Sequence, residues 1–193
     1  MIRKILFFIF LYTSLIPPVF SENTTLLTGS IAYTVDTARK LAFEGLDLKL
    51  DKSQILPYRI DENNKIHKEA LKNGTNFKNR TIMAFNLYSN KINGYVIIYH
   101  DKPEYAYYYS TSGYLIAVDK DDKFRENVYP YKIGKYSPLT GNLISIALYI
   151  SDEEQYAYTK SGKLKAHWIG NTGYNEKGKI IAKRSFVNEI PND

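Results

Sequence analysis

The sequence predicts an α+β fold: an N-terminal amphipathic helix and a second short helix packed on a mainly antiparallel β-meander of about nine strands. Three observations carry this expectation. Apolar residues recur at helical spacing only before residue 79, whereas from residue 80 short aromatic and aliphatic runs follow one another, bounded by Gly, Asn, Asp and Pro. The chain holds 18 Tyr against 9 Phe and 1 Trp, and a ring with a hydroxyl suits a half-buried sheet face with one wet end. A turn motif centred on glycine recurs along the second half. With 193 residues, 44% of them hydrophobic and 24% charged, the chain has the size and composition of one globular domain, not of a disordered tail or a multi-span membrane protein. The lack of Cys excludes disulfides, thiolate nucleophiles and Cys-ligated metals.

Residues 1–21 read as an export signal. Arg3 and Lys4 give the positive start, 5–16 form an apolar run broken only at Tyr12, Thr13 and Ser14, and Pro17 and Pro18 end any helix before Val19, Phe20 and Ser21. The run falls short of the ~20 residues that span a bilayer, so cleavage after Ser21 is expected, with a retained anchor as the alternative. Cleavage takes two of the 26 basic residues and none of the 20 acidic ones, so a net charge of +6 becomes +4. Charges of both signs interleave, as across 119–123, where a nucleic-acid binder would show a basic stripe. The expected location is periplasmic or extracellular in a bacterium. The expected partner is an envelope polysaccharide or a protein, with no nucleic acid, no cofactor and no stable membrane span after cleavage.

The mature chain divides into a helical N-terminal segment, 22–79, and a sheet region, 80–193, expected to form one domain together. Over 30–44, Ile31, Val35, Ala38, Leu41 and Ala42 line one side of a helix, with Asp36, Arg39 and Lys40 opposite. Ser30 is placed to cap its start, and Gly45 to take the left-handed position beyond its end. Leu46, Leu48 and Leu50 then alternate with Asp47, Lys49 and Asp51, which fits a strand or an extended arm. A second short helix is expected over 61–73, with Ile66 and Ala70 one turn apart and Gly74 as its stop. Strands are expected over 81–87, 95–100, 105–110, 114–118, 129–136, 143–150, 155–159, 163–169 and 179–183. Their short connections favour antiparallel hairpins.

The most specific feature is an internal repeat: Tyr, a polar turn, Gly, any residue, then Leu or Ile. It runs from Tyr109 through Gly113 to Leu115, from Tyr136 through Gly141 to Leu143, from Tyr158 through Gly162 to Leu164, and from Tyr174 through Gly178 to Ile180. Tyr closes one strand, glycine supplies the positive φ that ends the turn, and the aliphatic residue starts the return strand on the buried face. The motif resembles the hairpin of YD (Rhs-type) repeats and, more distantly, the glycine-centred hairpins of MORN-like repeats. It departs from the YD pattern in carrying Ser, Thr or Asn after the Tyr in place of Asp, and in its uneven period. The resemblance implies carbohydrate contact at the cell surface or a shell-forming scaffold. The whole layout, with Ala38-Arg39, Phe43-Glu44-Gly45, Asn79-Arg80 and Ala166-His167-Trp168, also resembles small exported proteins of cyanobacterial type with no assigned activity, which imply no site residues.

No catalytic motif stands out. His67, His100 and His167 show no metal-ligand spacing, and His100-Asp101 beside Ser110 or Ser112 lacks the strand-turn-helix elbow that positions a nucleophile. Asp121-Asp122 and Glu153-Glu154 read as solvated turn charges, because a glycosidase needs two carboxylates at a set separation across a cleft. Asp119, Asp121 and Asp122 lack the glycine and terminal Glu of a calcium loop. Aromatic residues offer the binding candidates. Tyr105, Tyr107 and Tyr109 share one side of a strand, either an open binding stripe or core. Trp168, with His167 beside it, either joins Tyr156, Tyr158 and Tyr174 in a sugar-stacking face or points into the core between sheet and helix. The function expected is an exported, non-enzymatic binding or structural module of the envelope, whose Tyr105, Tyr107, Tyr109, Tyr158, His167 and Trp168 meet a glycan or a partner protein. The alternatives are an envelope hydrolase pairing His100 or His167 with a carboxylate in a sheet–helix groove, and an interaction or inhibitor protein that adds an edge strand to its target.

Overall fold

The structure, a computed structural model, describes residues 33–60, 65–66, 75–85, 92–123 and 128–183. It consists of one helix, α1 (Val35–Phe43), and eleven strands: β1 (Thr75–Asn76), β2 (Arg80–Phe85), β3 (Gly94–Tyr99), β4 (Tyr105–Ser110), β5 (Leu115–Asp121), β6 (Tyr131–Tyr136), β7 (Leu143–Tyr149), β8 (Glu154–Thr159), β9 (Leu164–Ile169), β10 (Thr172–Tyr174) and β11 (Ile180–Lys183). Each strand pairs antiparallel with the next, so the sheet order is the chain order with no crossover. The expected antiparallel meander is thus present, with β1 and β10 added. Both are too short for a two-residue alternation to show. Of the second helix expected over 61–73, only Lys65 and Ile66 are described, and both are helical. The rest of that segment, like the export signal, lies outside the described residues.

The helix begins later than expected. Thr34 caps it, its hydroxyl accepting from the Thr37 amide at 3.1 Å, while Ser30 lies outside the described residues. Gly45 takes the positive φ expected of it, +62°. Lys132 on β6 reaches the other end of the helix, donating to the Leu41 carbonyl at 3.4 Å and to the Glu44 carbonyl. A cation there meets both the orphan carbonyls and the negative end of the helix dipole.

Residues 46–60 form an extended arm, with one tight turn at Lys52–Gln54, which crosses the same face of the sheet as α1. It is held along its length by tyrosines. The hydroxyls of Tyr136, Tyr107 and Tyr109 donate to the carbonyls of Asp47 (2.8 Å), Gln54 (3.0 Å) and Pro57 (3.3 Å). Tyr105 accepts from the Gln54 side chain at 2.6 Å. At the helix end, Tyr156 and Tyr158 donate to the carbonyls of Tyr33 (2.7 Å) and Val35 (2.9 Å). The rings are buried in the main core with Ala38, Ala42, Leu50, Ile82 and Ile97. Each ring therefore contributes apolar burial while its oxygen satisfies a backbone carbonyl that the sheet cannot reach.

The four glycine hairpins each end on a glycine of positive φ, the second with one residue more in its turn. Gly113, Gly141, Gly162 and Gly178 have φ of +81°, +73°, +81° and +72°. Their amides donate back to Ser110, Ser137, Thr159 and Asn175, the residues that follow each Tyr. Beside each Tyr the register slips by one residue. The first two hairpins also bind the arm by two further bonds each: Leu50 N–H to Gly141 C=O (2.9 Å) with Leu143 N–H to Leu48 C=O (2.9 Å), and Ile60 N–H to Gly113 C=O (2.9 Å) with Leu115 N–H to Tyr58 C=O (2.7 Å).

Two outcomes are expected. An alanine Cβ at Gly141 would lie 2.7 Å from the Leu50 carbonyl oxygen, whereas at Gly162 it would meet only the flexible Arg39 stem at 3.4 Å. Both Gly→Ala variants force a positive φ on a side chain and lose about 1–2 kcal/mol. Gly141→Ala loses more, read as the larger fall in urea midpoint. Burial raises the pKa of Tyr107, Tyr109, Tyr136, Tyr156 and Tyr158 above the ordinary 10.0. Their contribution is complete below the unfolded value and is lost as pH rises past it. Tyrosine ionisation followed by ultraviolet absorbance should coincide with loss of the folded circular-dichroism signal above pH ~10.

Candidate functional site

The register of the strands sorts every side chain to one face or the other. Tyr105, Tyr107, Tyr109 and Tyr158 point toward the arm and α1, as does His167. Trp168 points the opposite way, where Gly173 on β10 leaves room for its ring. All six are at most 5% exposed. The single Tyr-rich binding surface expected of them is therefore not formed: Tyr105, Tyr107 and Tyr109 are core beneath the arm and Tyr158 is core beneath α1, held there by the bonds described above. Trp168 is buried as well, but against the sheet's other face and not between sheet and helix.

That other face carries no described element, and pairing across its centre arranges it in three rows at right angles to the strands. One row is polar: Asp119, Lys135 and Ser145 are direct cross-strand neighbours. Lys135 Nζ lies 2.6 Å from Asp119 Oδ1 and 4.4 Å from the Tyr108 ring centre. The next row is small, running from Ile133 through Ala147 and Ala157 to Ala166. The third is aromatic. Tyr131 and Tyr149 stack at 4.6 Å with 6° between their planes, Tyr129 leans on Tyr131 at 5.3 Å, and Trp168 continues the row beyond Gln155.

The alanine row is thus the floor of a shallow trough with lysines on one wall and rings on the other. A recess of about 20 Å³ in it is lined by Asp119, Lys135, Ser145, Tyr149 and Lys165 among others, room for a single water molecule. Lys165 is solvent-exposed, yet partial burial and, after it, the Lys135 ammonium lower its pKa. The lining holds two lysines and one carboxylate, Asp119, which pairs with Lys135, so the recess carries a net positive charge. Tyr129, 40% exposed, presents its ring at the aromatic end, where its hydroxyl bonds Asp152.

On the helix side, one histidine has found a carboxylate. His167 Nε2 lies 3.0 Å from Glu154 Oε1, both buried, and the Tyr156 ring stacks on the imidazole at 4.0 Å. The Tyr156 hydroxyl is 3.1 Å from the same oxygen. Glu154 is therefore no solvated turn charge, although the Ser151–Glu154 stretch does close a tight turn. Asp121 is likewise buried, accepting from the Lys123 amide at 2.9 Å, and Asp122 accepts from the Lys132 amide at 2.7 Å. His100 is exposed, with its ring nitrogens 3.2 Å from the Thr81 hydroxyl and 3.3 Å from the Lys78 carbonyl oxygen. His67 lies outside the described residues. No three His, Asp or Glu among the described residues are grouped to hold a metal, and no helix among them is long and apolar enough to cross a membrane.

The sequence reading passed over Lys135, Lys165, Tyr129, Tyr131 and Tyr149. A signal was present in two lysines within the six residues of β6, where a solvated edge was not needed to explain them. Compared with family models, curated proteins and solved structures, the chain matches none.

Burial lowers the His167 pKa below 6.5, against the opposing pull of Glu154. Stability is then complete above pH ~6.5 and falls at lower pH as the unfolded chain takes up the proton first. Urea midpoints at pH 7.5 and pH 5 should differ less in His167→Gln than in the parent, and equal differences would refute a neutral buried imidazole.

Proposed function

We propose that this chain is an exported, non-enzymatic binding module of the cell envelope, and that the sheet face opposite α1 takes an acidic glycan. One observation carries the reading: half-buried Tyr131 and, beyond it, exposed Tyr129 lie across a floor of alanines from exposed Lys165, with buried Tyr149 and Lys135 backing the two sides from within the sheet. Sugar rings stack on aromatic faces, and a uronate or phosphate on the same polymer would meet the lysines. The residue set differs from the one the sequence suggested, but the ligand class is the same. Export is supported by Arg3, Lys4 and the apolar run over 5–16. A YD- or MORN-like origin of the hairpins rests on the recurring Tyr, polar turn, Gly, then Leu or Ile of the sequence.

A second reading, an envelope hydrolase, is favoured by the His167–Glu154 pair. The same carboxylate oxygen, however, already lies beside the Tyr156 hydroxyl that holds the Tyr33 carbonyl, an arrangement that locks the start of α1 and leaves the dyad no described nucleophile.

The test is binding to a polyuronate and to neutral dextran at low and high salt. The polyuronate is expected to bind and dextran to bind weakly. Tyr131→Ala and Lys165→Gln should each weaken polyuronate binding by roughly tenfold, with only the lysine variant losing the salt dependence. Binding untouched by either variant would overturn the assignment of this face.

A further inference from the structure

The arm is clamped to the first hairpin at residues 58–60. The Leu115 amide donates to the Tyr58 carbonyl at 2.7 Å and the Ile60 amide to the Gly113 carbonyl at 2.9 Å, with Arg59 opposite Tyr114 between these bonds. Two phenol rings stand in solvent beside the clamp. Tyr58 is 48% and Tyr114 41% exposed. Their ring centres lie 5.7 Å apart with the planes tilted by 52°. The Arg59 guanidinium lies over the Tyr114 ring, 5.6 Å from its centre, so a cation and a second ring hold Tyr114 in place. These two phenols are therefore kept in contact by their backbones while both remain open to water.

That combination sets them apart chemically from the tyrosines of the core. Near neutral pH a phenol gives up an electron together with its proton, so its oxidation needs access to both an oxidant and a proton acceptor. Tyr107, Tyr109, Tyr136, Tyr156 and Tyr158 are buried, and their hydroxyl protons are committed to backbone carbonyls. Burial raises the pKa of each. A second exposed contact, Tyr129 with Tyr131 at 5.3 Å, is less suited to coupling. The Tyr129 hydroxyl bonds Asp152, and Tyr131 lies flat on Tyr149 at 4.6 Å, which holds its ring against the turn that an edge-to-edge bond requires.

We propose that Tyr58 and Tyr114 are an oxidative cross-linking site, joined by one carbon–carbon bond between the ring positions next to their hydroxyls. Each phenol loses one electron and one proton, and the two phenoxyl radicals couple at those carbons. The hydrogens on the coupled carbons then shift to the oxygens and restore both phenols. The oxidant is hydrogen peroxide acting through a peroxidase: it takes up the two electrons and two protons and leaves as two waters. Rotation about the side-chain torsions of two exposed residues brings the ring edges together. The bond ties the arm covalently to the sheet, the part that a disulfide plays in other chains and that this one, without Cys, cannot fill in that way. A link of this kind restricts the unfolded chain and so favours the folded one. Neither residue belongs to the trough, and the cross-link and the glycan reading stand or fall independently.

The test treats the full chain with a haem peroxidase and hydrogen peroxide, in dilute solution so that coupling within a chain outruns coupling between chains. The expected product is a monomer lighter by two hydrogen atoms, with dityrosine fluorescence. Digestion should release one cross-linked peptide pair, carrying Tyr58 and Tyr114. The urea midpoint of this monomer should lie above that of the untreated protein. Tyr58→Phe and Tyr114→Phe keep the ring but form no phenoxyl radical, and each should lose the fluorescence and the mass change. No dityrosine, a link at another pair, links only between copies, or undiminished fluorescence in either variant would overturn the site. An unchanged urea midpoint in the cross-linked monomer would overturn its part in tying down the arm.

Discussion

A row of tyrosine hydroxyls joins the sheet to the rest of the molecule. Residues 33–60 have too little regular structure to satisfy their own backbone: α1 is nine residues long, and among the described residues the arm beyond it bonds the sheet backbone at two places. Buried carbonyls without partners would cost free energy comparable to a lost hydrogen bond each. Tyr107, Tyr109, Tyr136, Tyr156 and Tyr158 remove that cost from the sheet side while filling the interface with ring area. A phenylalanine in the same place would fill the space and leave the carbonyl unpaired. This constraint explains why the chain prefers Tyr to Phe at these positions, three of which, Tyr109, Tyr136 and Tyr158, sit where a strand meets its glycine turn.

Committing those rings to the seam leaves the opposite face to other residues. There the strands carry alanine where the first face carries tyrosine, as with Ala106 between Tyr105 and Tyr107 and Ala157 between Tyr156 and Tyr158. Small residues let the remaining large groups lie flat: Trp168 over Gly173, Phe85 over Gly94, and the Lys135 ammonium over Tyr108. The result is a face with a cationic wall and an aromatic wall, a chemistry suited to an acidic sugar polymer.

Much of the architecture was legible in the sequence, for physical reasons that can be named. The strand Tyr105–Ser110 appears with its expected limits, because Tyr and Ala alternate and a Pro-containing loop precedes it. All four hairpin glycines take positive φ, since a turn that ends in the left-handed region selects glycine from local sterics only. The start of α1 was misplaced because Ser30 and Thr34 are both competent caps, and the choice between them depends on where Tyr156 and Tyr158 hold the Tyr33 and Val35 carbonyls. Glu154 read as a turn charge because nothing local marks it. Its partner, His167, is contributed by the neighbouring strand.

The sequence by itself determined the local conformations, the antiparallel meander and the two-residue alternation that sends Tyr105, Tyr107 and Tyr109 to one face and Tyr108 to the other. Tertiary structure alone decided which face is covered. Alternation is symmetric with respect to the sheet, so it sorts side chains without saying which set meets solvent. That decision was made by the arm, whose carbonyls find hydroxyls on only one side. Once the arm and α1 lay across the tyrosines, they became core, and Lys165, Tyr129 and half-buried Tyr131 were left on the opposite face, on which the proposed function rests.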